Sequence, residues 1–317
     1  MDYLPLSIVI VNWNSMEFLR SCLVSLFDKN LNFDFEVIIV DNYSNDNSVD
    51  FLKNEFPDIR LIQNDINIGF TKANNQAIKE AKGNYILLLN PDTIMTDKDI
   101  LKNWYIFMEN NPDVGASGCR LIYEDGSHQV GDAGYKPTIE TVFNFSFFLS
   151  KLRPERFKGI FLNYSKLNVP IEVDWIGGAD FLVRRTVLDK VGLMDEDIFM
   201  YADDIEWGCR IKEHGYRIMY LPQMKIIHLQ GGSAKKQKEI SEFSSLWLKN
   251  IRLLYKHYNK NQPVILYDLI ISTGFLIRAV LYFGLFLKSR DEDTKIRSYK
   301  MFKYFQFSIS NLVHLRE

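Results

Sequence analysis

The chain has 317 residues, 47% of them hydrophobic and 25% charged, with a net charge of −2; this suits one large folded body plus an appendage and excludes a disordered chain. Three cysteines, Cys22, Cys119 and Cys209, are odd in number, widely spaced and form no Cys-x-x-Cys pair, so neither a disulfide framework nor a thiolate zinc site is indicated and a reducing compartment is expected. The charge is segregated: residues 235–317 hold 15 Lys plus Arg against 7 Asp plus Glu, leaving net −10 on the rest, so the tail is expected to face an anionic surface.

The first residues, Met1 to Pro5, run straight into a strand without a basic n-region, a long apolar stretch or a small-residue cleavage site, so a cytoplasmic location is expected. Apolar runs at Leu6–Val11, Phe35–Val40, Ile59–Gln63 and Tyr85–Leu89 read as strands. Between them, helical patterns cover Met16–Phe27 with Ser15 as cap, Ser48–Glu55, and Phe70–Ala81 ended by Gly83. Helical crossovers between short strands imply parallel pairing in an α/β doubly wound sheet. Further on, Val114–Tyr123, Val173–Arg184 and Arg217–His228 read as strands broken by Gly and Pro, and Ile205–His214 as a helix.

Two acidic features carry chemistry. Asn90-Pro91-Asp92 ends the strand at Leu89, and in an open α/β sheet ligands bind outside the carboxyl ends of strands, where Asp92 would meet a metal and a phosphate group. Asn-Pro-Asp is also a common turn. Asp203-Asp204, with Glu206, opens the later helix; acidic residues favour a helix N-terminus whatever else they do. No Gly-x-Gly-x-x-Gly follows the first strand, which disfavours a nucleotide-binding dehydrogenase. The tail has neither zinc-finger spacing nor an RNA-binding motif, so no nucleic acid is expected as partner.

The strings Ser7-Ile-Val-Ile-Val-Asn-Trp-Asn14, Val40 to Ser48, Asn67-Ile-Gly-Phe70 with Asn74-Asn75, Leu87 to Thr93, Gly177-Gly-Ala179, Asp203-Asp204, and Ile227-His228 with Gly232-Ser233 resemble, in order and spacing, family 2 glycosyltransferases of the GT-A fold, within them the bacterial rhamnosyltransferase-like branch. The resemblance spans about residues 6–234. It implies a GT-A-type doubly wound mixed sheet with a Rossmann-like nucleotide-binding half at 1–93, an acceptor half at 94–234, and a basic, aromatic helical appendage at 235–317.

The resemblance also implies roles. Asp204 would be the general base that takes the acceptor hydroxyl proton. Val11, Asn14, Asp41, Asn67, Gly69, Asn74, Asn90 and Asp92 would face a nucleotide diphosphate sugar donor. Gly69 would admit the backbone to the nucleotide, unless it serves the turn alone. Asp92 and His228 would bind Mn²⁺ or Mg²⁺, although Asn90 replaces the first carboxylate of the family's acidic pair. Trp175, Gly178, Asp203 and Glu206 are assigned to a glycan or lipid-linked glycan acceptor, with Trp175 either stacked on a sugar ring or simply buried. Asp180 stands where the family has an apolar residue, a departure that points to acceptor specificity.

The expected activity is inverting, metal-dependent transfer, best matched by rhamnose from its deoxythymidine diphosphate donor, in cell-surface polysaccharide synthesis at the cytoplasmic face of the plasma membrane. The alternatives are another donor such as uridine diphosphate galactofuranose, or a catalytically silent binding protein; oligomeric state is open. In the tail, Val264–Leu287 is long enough to span a bilayer. However, Asp268, Ser272, Arg278 and Tyr282 fall within about 120° of its circumference, and that polar stripe favours an interfacial helix, with peripheral membrane contact through residues 264–313, or one packed on the body, over a lipid-surrounded span; a helical appendage or dimer contact is the other reading.

Overall fold

The structure is a computed structural model that describes residues 4–30, 32–198, 201–229 and 243–313. Its elements in chain order are β1 (Leu6–Asn12), α1 (Met16–Lys29), β2 (Phe35–Asp41), α2 (Ser48–Glu55), β3 (Arg60–Gln63), α3 (Phe70–Glu80), β4 (Tyr85–Leu89), β5 (Thr93–Met95), α4 (Ile100–Asn110), β6 (Val114–Ile122) and β7 (Ala133–Gly134). Then follow α5 (Ile139–Ser146), α6 (Leu149–Leu152), β8 (Ile171–Val173), β9 (Trp175–Ile176), β10 (Asp180–Arg184), α7 (Arg185–Val191), α8 (Asp203–Glu213), β11 (Arg217–His228), α9 (Phe243–Tyr258), α10 (Val264–Ser289) and α11 (Glu292–Val313).

Two compact units divide the chain, residues 1–134 with 165–239 and residues 135–164 with 240–317. The segment 135–164 therefore groups with the tail helices, not with the body as a boundary at 234 would have it, because α5 packs on α10. No composition shift marks that excursion in the sequence.

The first unit is built on one mixed sheet in the order β3-β2-β1-β4-β10-β6-β11-β5, with β8 paired to β11. The four leading strands are parallel, as helical crossovers require, while β10 runs antiparallel between β4 and β6. The single strand expected over Val173–Arg184 is three pieces, β8, β9 and β10, broken at Asp174 and at Gly177-Gly178-Ala179. One face of the sheet buries Leu6, Ile8, Ile10, Leu87 and Leu89 against Leu19, Leu23 and Leu26 of α1 and Trp104 and Met108 of α4. Ser15 donates its hydroxyl to the Trp13 carbonyl at 3.1 Å instead of capping α1; Asp46 Oδ2 accepts the Met16 N–H at 2.9 Å.

Two local breaks set up the site. The pairing of β11 with β6 slips between Leu221 and Lys225, around Pro222, which has no N–H for a ladder. Past the slip, β11 also pairs with β5, setting His228 opposite Thr93. The second break is close packing of α8: a Cβ on Gly208 would lie 2.7 Å from the Asp174 carbonyl and 2.8 Å from Trp175 Cα, so only glycine lets this helix approach so closely.

In the second unit α10 packs on α5 and α11, and aromatic rings fill the joint with α9. Tyr255 and Tyr267 lie 4.6 Å apart and Trp247 and Phe275 6.3 Å.

Candidate active site

The pairing of β5 with β11 brings together residues 92 and 228. His228 Nε2 lies 3.2 Å from Asp92 Oδ1, and the Leu229 N–H donates to the Asp92 carbonyl at 2.9 Å. Both side chains keep 13% of their surface exposed, enough for a ligand to reach them. Asn90 Nδ2 is 3.5 Å from the same ring nitrogen.

Gln129 decides which nitrogen of His228 carries the proton. Its amide nitrogen donates to the His228 carbonyl at 3.1 Å, so its amide oxygen must be the atom 2.5 Å from Nδ1. Nδ1 therefore carries a proton, and Nε2 is the nitrogen that faces the Asp92 carboxylate. At 3.2 Å a proton on Nε2 bridges the ring and the carboxylate, and a metal ion that displaces this proton would meet both as ligands. Ligands at adjacent octahedral positions about a small divalent ion stand roughly 3 Å apart, given bonds of about 2.1 Å. The pair fits such an ion as two of its ligands. Among the described residues no group of three or more His, Cys, Asp and Glu could hold a metal, so this chain offers the pair and no third such ligand there.

The second acidic feature lies one strand over. The Asn90 N–H donates to the Ala179 carbonyl at 2.9 Å, and the N–H of neighbouring Gly178 donates to Asp204 Oδ2 at 3.2 Å. Asp204 Oδ1 accepts the Ile205 N–H at 2.8 Å. Tyr201 and Ala202, just ahead of α8, have φ of 65° and 67°. Left-handed conformations in consecutive non-glycine residues cost about 1–3 kcal/mol each and gather at functional sites.

Burial raises the Asp204 carboxyl above the usual range, offset in part by the two backbone N–H groups. Asp203 is pushed up further, first by burial and then by the like charge of Asp204, so it holds its proton while Asp204 ionises. Glu206 forms a two-pronged pair with Arg210, both contacts at 2.8 Å, and Arg210 also donates to the carbonyls of Val191 and Leu193. Glu206 thus orients a neighbouring positive group.

The expected donor-side residues divide. Asp41 is buried, with Oδ1 accepting Asn12 Nδ2 and Oδ2 accepting the Ser44 N–H, both at 2.9 Å, so it braces the turns after β1 and β2. Asn14, at φ 53°, accepts the Asn45 N–H at 2.8 Å, and Val11 is half-buried beside Val40. Asn67 Oδ1 receives Asn42 Nδ2 at 2.8 Å and the Gly69 N–H at 3.0 Å; Gly69, at φ 89°, turns the chain into α3. Asn74 is buried and donates one amide hydrogen to the Phe70 carbonyl one turn back at 2.9 Å.

Two expectations are corrected, for Trp175 and Asp180. Trp175 is 1% exposed in the core, where it cannot stack on a sugar; a wide apolar ring beside Gly208 is held there by packing. Asp180 is fully buried on β10, accepting the Cys119 N–H at 2.7 Å, and so does not reach an acceptor. The polar stripe of α10 points inward: Asp268, Ser272 and Arg278 are buried, Asp268 paired with Arg252 at 2.7 Å. Gly232 and Ser233 lie outside the described residues.

Sequence reasoning missed Gln129. It sits in a turn region between Gly126 and Gly131, 99 positions from the histidine it holds, and no local pattern signals the contact.

Residues 7–171, just over half of the chain, match the model described as Glycosyl transferase family 2. The chain is 26% identical over 251 residues to the O-antigen biosynthesis protein RfbC of Myxococcus xanthus, covering 76% of this chain and 18% of that protein. It is 26% identical over 219 residues to N-acetylglucosaminyl-diphospho-decaprenol L-rhamnosyltransferase of Mycobacterium tuberculosis, covering 61% and 66%. The chain spans under a third of the length of several curated relatives it matches. Among solved structures, the mannosyltransferase PcManGT from Pyrobaculum calidifontis, in complex with GDP-Man and Mn²⁺, aligns over 98% of this chain and 87% of its own at a TM-score of 0.61 and 14% identity, a likeness of fold. On the family match and the matching order of motifs, the chain belongs to glycosyl transferase family 2.

Proposed function

We propose that the chain is an inverting glycosyltransferase that moves a sugar from a nucleotide diphosphate donor to a hydroxyl of a glycan or lipid-linked glycan in bacterial cell-surface polysaccharide synthesis, working at the cytoplasmic face of the plasma membrane. The observation that carries this reading is an Asp92–His228 couple just past the end of β4 together with a desolvated carboxylate, Asp204 at the start of α8, held by the loop that leads into the neighbouring strand β10. One displacement step needs one base and one stabilised leaving group, and these are the two parts present.

Asp204 takes the proton of the acceptor hydroxyl as that oxygen attacks the anomeric carbon. The Gly178 and Ile205 N–H groups hold its two oxygens in place. Asp203, protonated beside it, adds no competing charge. Asp92 and His228 would hold Mn²⁺ or Mg²⁺, which when bound supplies positive charge to the departing diphosphate. Gln129 keeps the His228 lone pair directed at that position.

Rhamnose from its deoxythymidine diphosphate donor is the favoured sugar, supported by the relative named as an L-rhamnosyltransferase. The test is a panel of nucleotide sugars incubated with purified chain, with hydrolysis and transfer followed by product analysis, with and without chelator. Consumption of the rhamnose donor, stopped by chelator and restored by Mn²⁺ or Mg²⁺, is expected. Turnover of the galactofuranose donor alone would replace the sugar, and no turnover of any donor would leave a binding protein.

A further inference from the structure

Helix α10 is apolar on its exposed side as well as its buried one, unlike a helix on a water-soluble surface. Its buried side holds both of its charged residues up to Leu287 among Ile270, Ile271 and Phe275: Asp268 is held by Arg252 at 2.7 and 2.8 Å, and Arg278 donates to the Ser146 carbonyl at 2.8 Å and to the Phe145 carbonyl. Its exposed side is apolar apart from Thr273. Ile265, Leu269, Leu276, Val280, Phe283 and Leu287 follow one another at helical spacing and are all exposed, Val280 at 62%. No exposed residue from 265 to 287 is charged. The stripe is about 33 Å long, and contiguous exposed apolar patches mark interaction surfaces.

We propose that this stripe docks in the plane of an anionic lipid bilayer, with the helix lying along the headgroup boundary. Charge selects the occupant. Lys288 and Arg290 end α10, and Lys295, Arg297, Lys300 and Lys303 follow on α11, all exposed, against three acidic residues at 291–293. These cations reach phosphate while the apolar side chains sink below it. A two-fold contact with a second copy would instead bring the same cations towards one another.

The neighbours of α10 fix the orientation. Helix α5 has 8 residues, too few to cross a bilayer. Helix α9 carries Lys249, Arg252 and Lys256, and the exposed lysines of α11 begin one turn into it. A spanning α10 would drag these helices into hydrocarbon, whereas a helix in the plane leaves them in water. The inference does not depend on the donor or on the reaction.

The full-length chain is floated with phosphatidylcholine vesicles, with and without phosphatidylglycerol. It should rise with the phosphatidylglycerol vesicles, less so at high salt, and be released by alkaline carbonate. Replacing Leu276, Val280 and Phe283 with serine should lower flotation by about tenfold or more, with the circular dichroism spectrum and nucleoside diphosphate binding retained. Lys300→Ala with Lys303→Ala should weaken the preference for anionic lipid. Absence of flotation, flotation unchanged by the triple serine substitution, or retention after carbonate each overturns in-plane docking. A dimer that the triple substitution splits, in a chain that does not float, assigns the stripe to a second copy and overturns it too.

Discussion

Gln129 grips His228 at two points, its amide oxygen 2.5 Å from Nδ1 and its amide nitrogen 3.1 Å from the carbonyl. The backbone contact fixes which way the amide faces, and the amide then fixes the ring. Groups that hold a metal-binding histidine in this way commonly govern its affinity.

Gln129→Leu removes that control. Nucleoside diphosphate binding in the presence of Mn²⁺ should weaken about 10–100-fold, while binding without metal changes little. Nitrogen NMR of the His228 ring should move from a single Nδ1–H tautomer to a mixture. Gln129→Glu keeps an acceptor at Nδ1 and should keep the tautomer. A ring that stays in one tautomer with full metal-dependent binding in the Leu variant would show that Gln129 does not set it.

Asp204→Asn keeps the shape of the side chain but cannot accept a proton. Transfer should fall by about 10²–10⁴, with donor affinity within a few fold of wild type. Such a split, turnover lost and binding kept, separates a base from a donor-binding group. Turnover near wild type would move the base elsewhere.

How far the sequence reached differs between the parts of the fold and of the site. Strands such as Leu6–Asn12 and Phe35–Asp41 were legible because continuous apolar runs between turn residues have few other solutions. Asp92 and Asp204 stood out as carboxylates after an apolar run and at a helix start. Gln129 was not legible, since its role depends on a contact 99 positions away. The orientation of α10 was hidden for a related reason. Periodicity groups Asp268, Ser272 and Arg278 on one side of the helix, and only the partners, Arg252 and the Ser146 carbonyl, say which side is inside.

The acidic limb of the pH–rate profile should report Asp204. Burial raises its pKa, so the base is lost as pH falls through a value above the ordinary aspartate range. Asp203 is raised further and keeps its proton through that window. Asp203→Asn should therefore leave the limb within about half a pH unit, since a neutral group replaces a neutral group. A limb that drops by a full unit would mean that Asp203 is ionised there and that its charge, rather than burial, lifts Asp204.

Asp180 offers a test of buried charge that involves no chemistry on substrate. Its Oδ2 accepts the Cys119 N–H at 2.7 Å, and its Oδ1 has no hydrogen-bond partner in a fully buried position. Burial first, and the like charge of Asp132 second, raise its pKa well above the usual value. The folded chain therefore holds a proton that the unfolded chain releases near pH 4. By linkage, stability from this group is full below the unfolded pKa and declines as pH rises towards the folded pKa. Asp180→Asn keeps an acceptor for Cys119 and has no proton to lose. Its melting temperature should match wild type near pH 4 and exceed it by a few degrees near pH 8, measured by calorimetry across that range. A deficit in the variant that widens with pH would mean that the folded chain prefers an ionised Asp180, and the neutral assignment would fall.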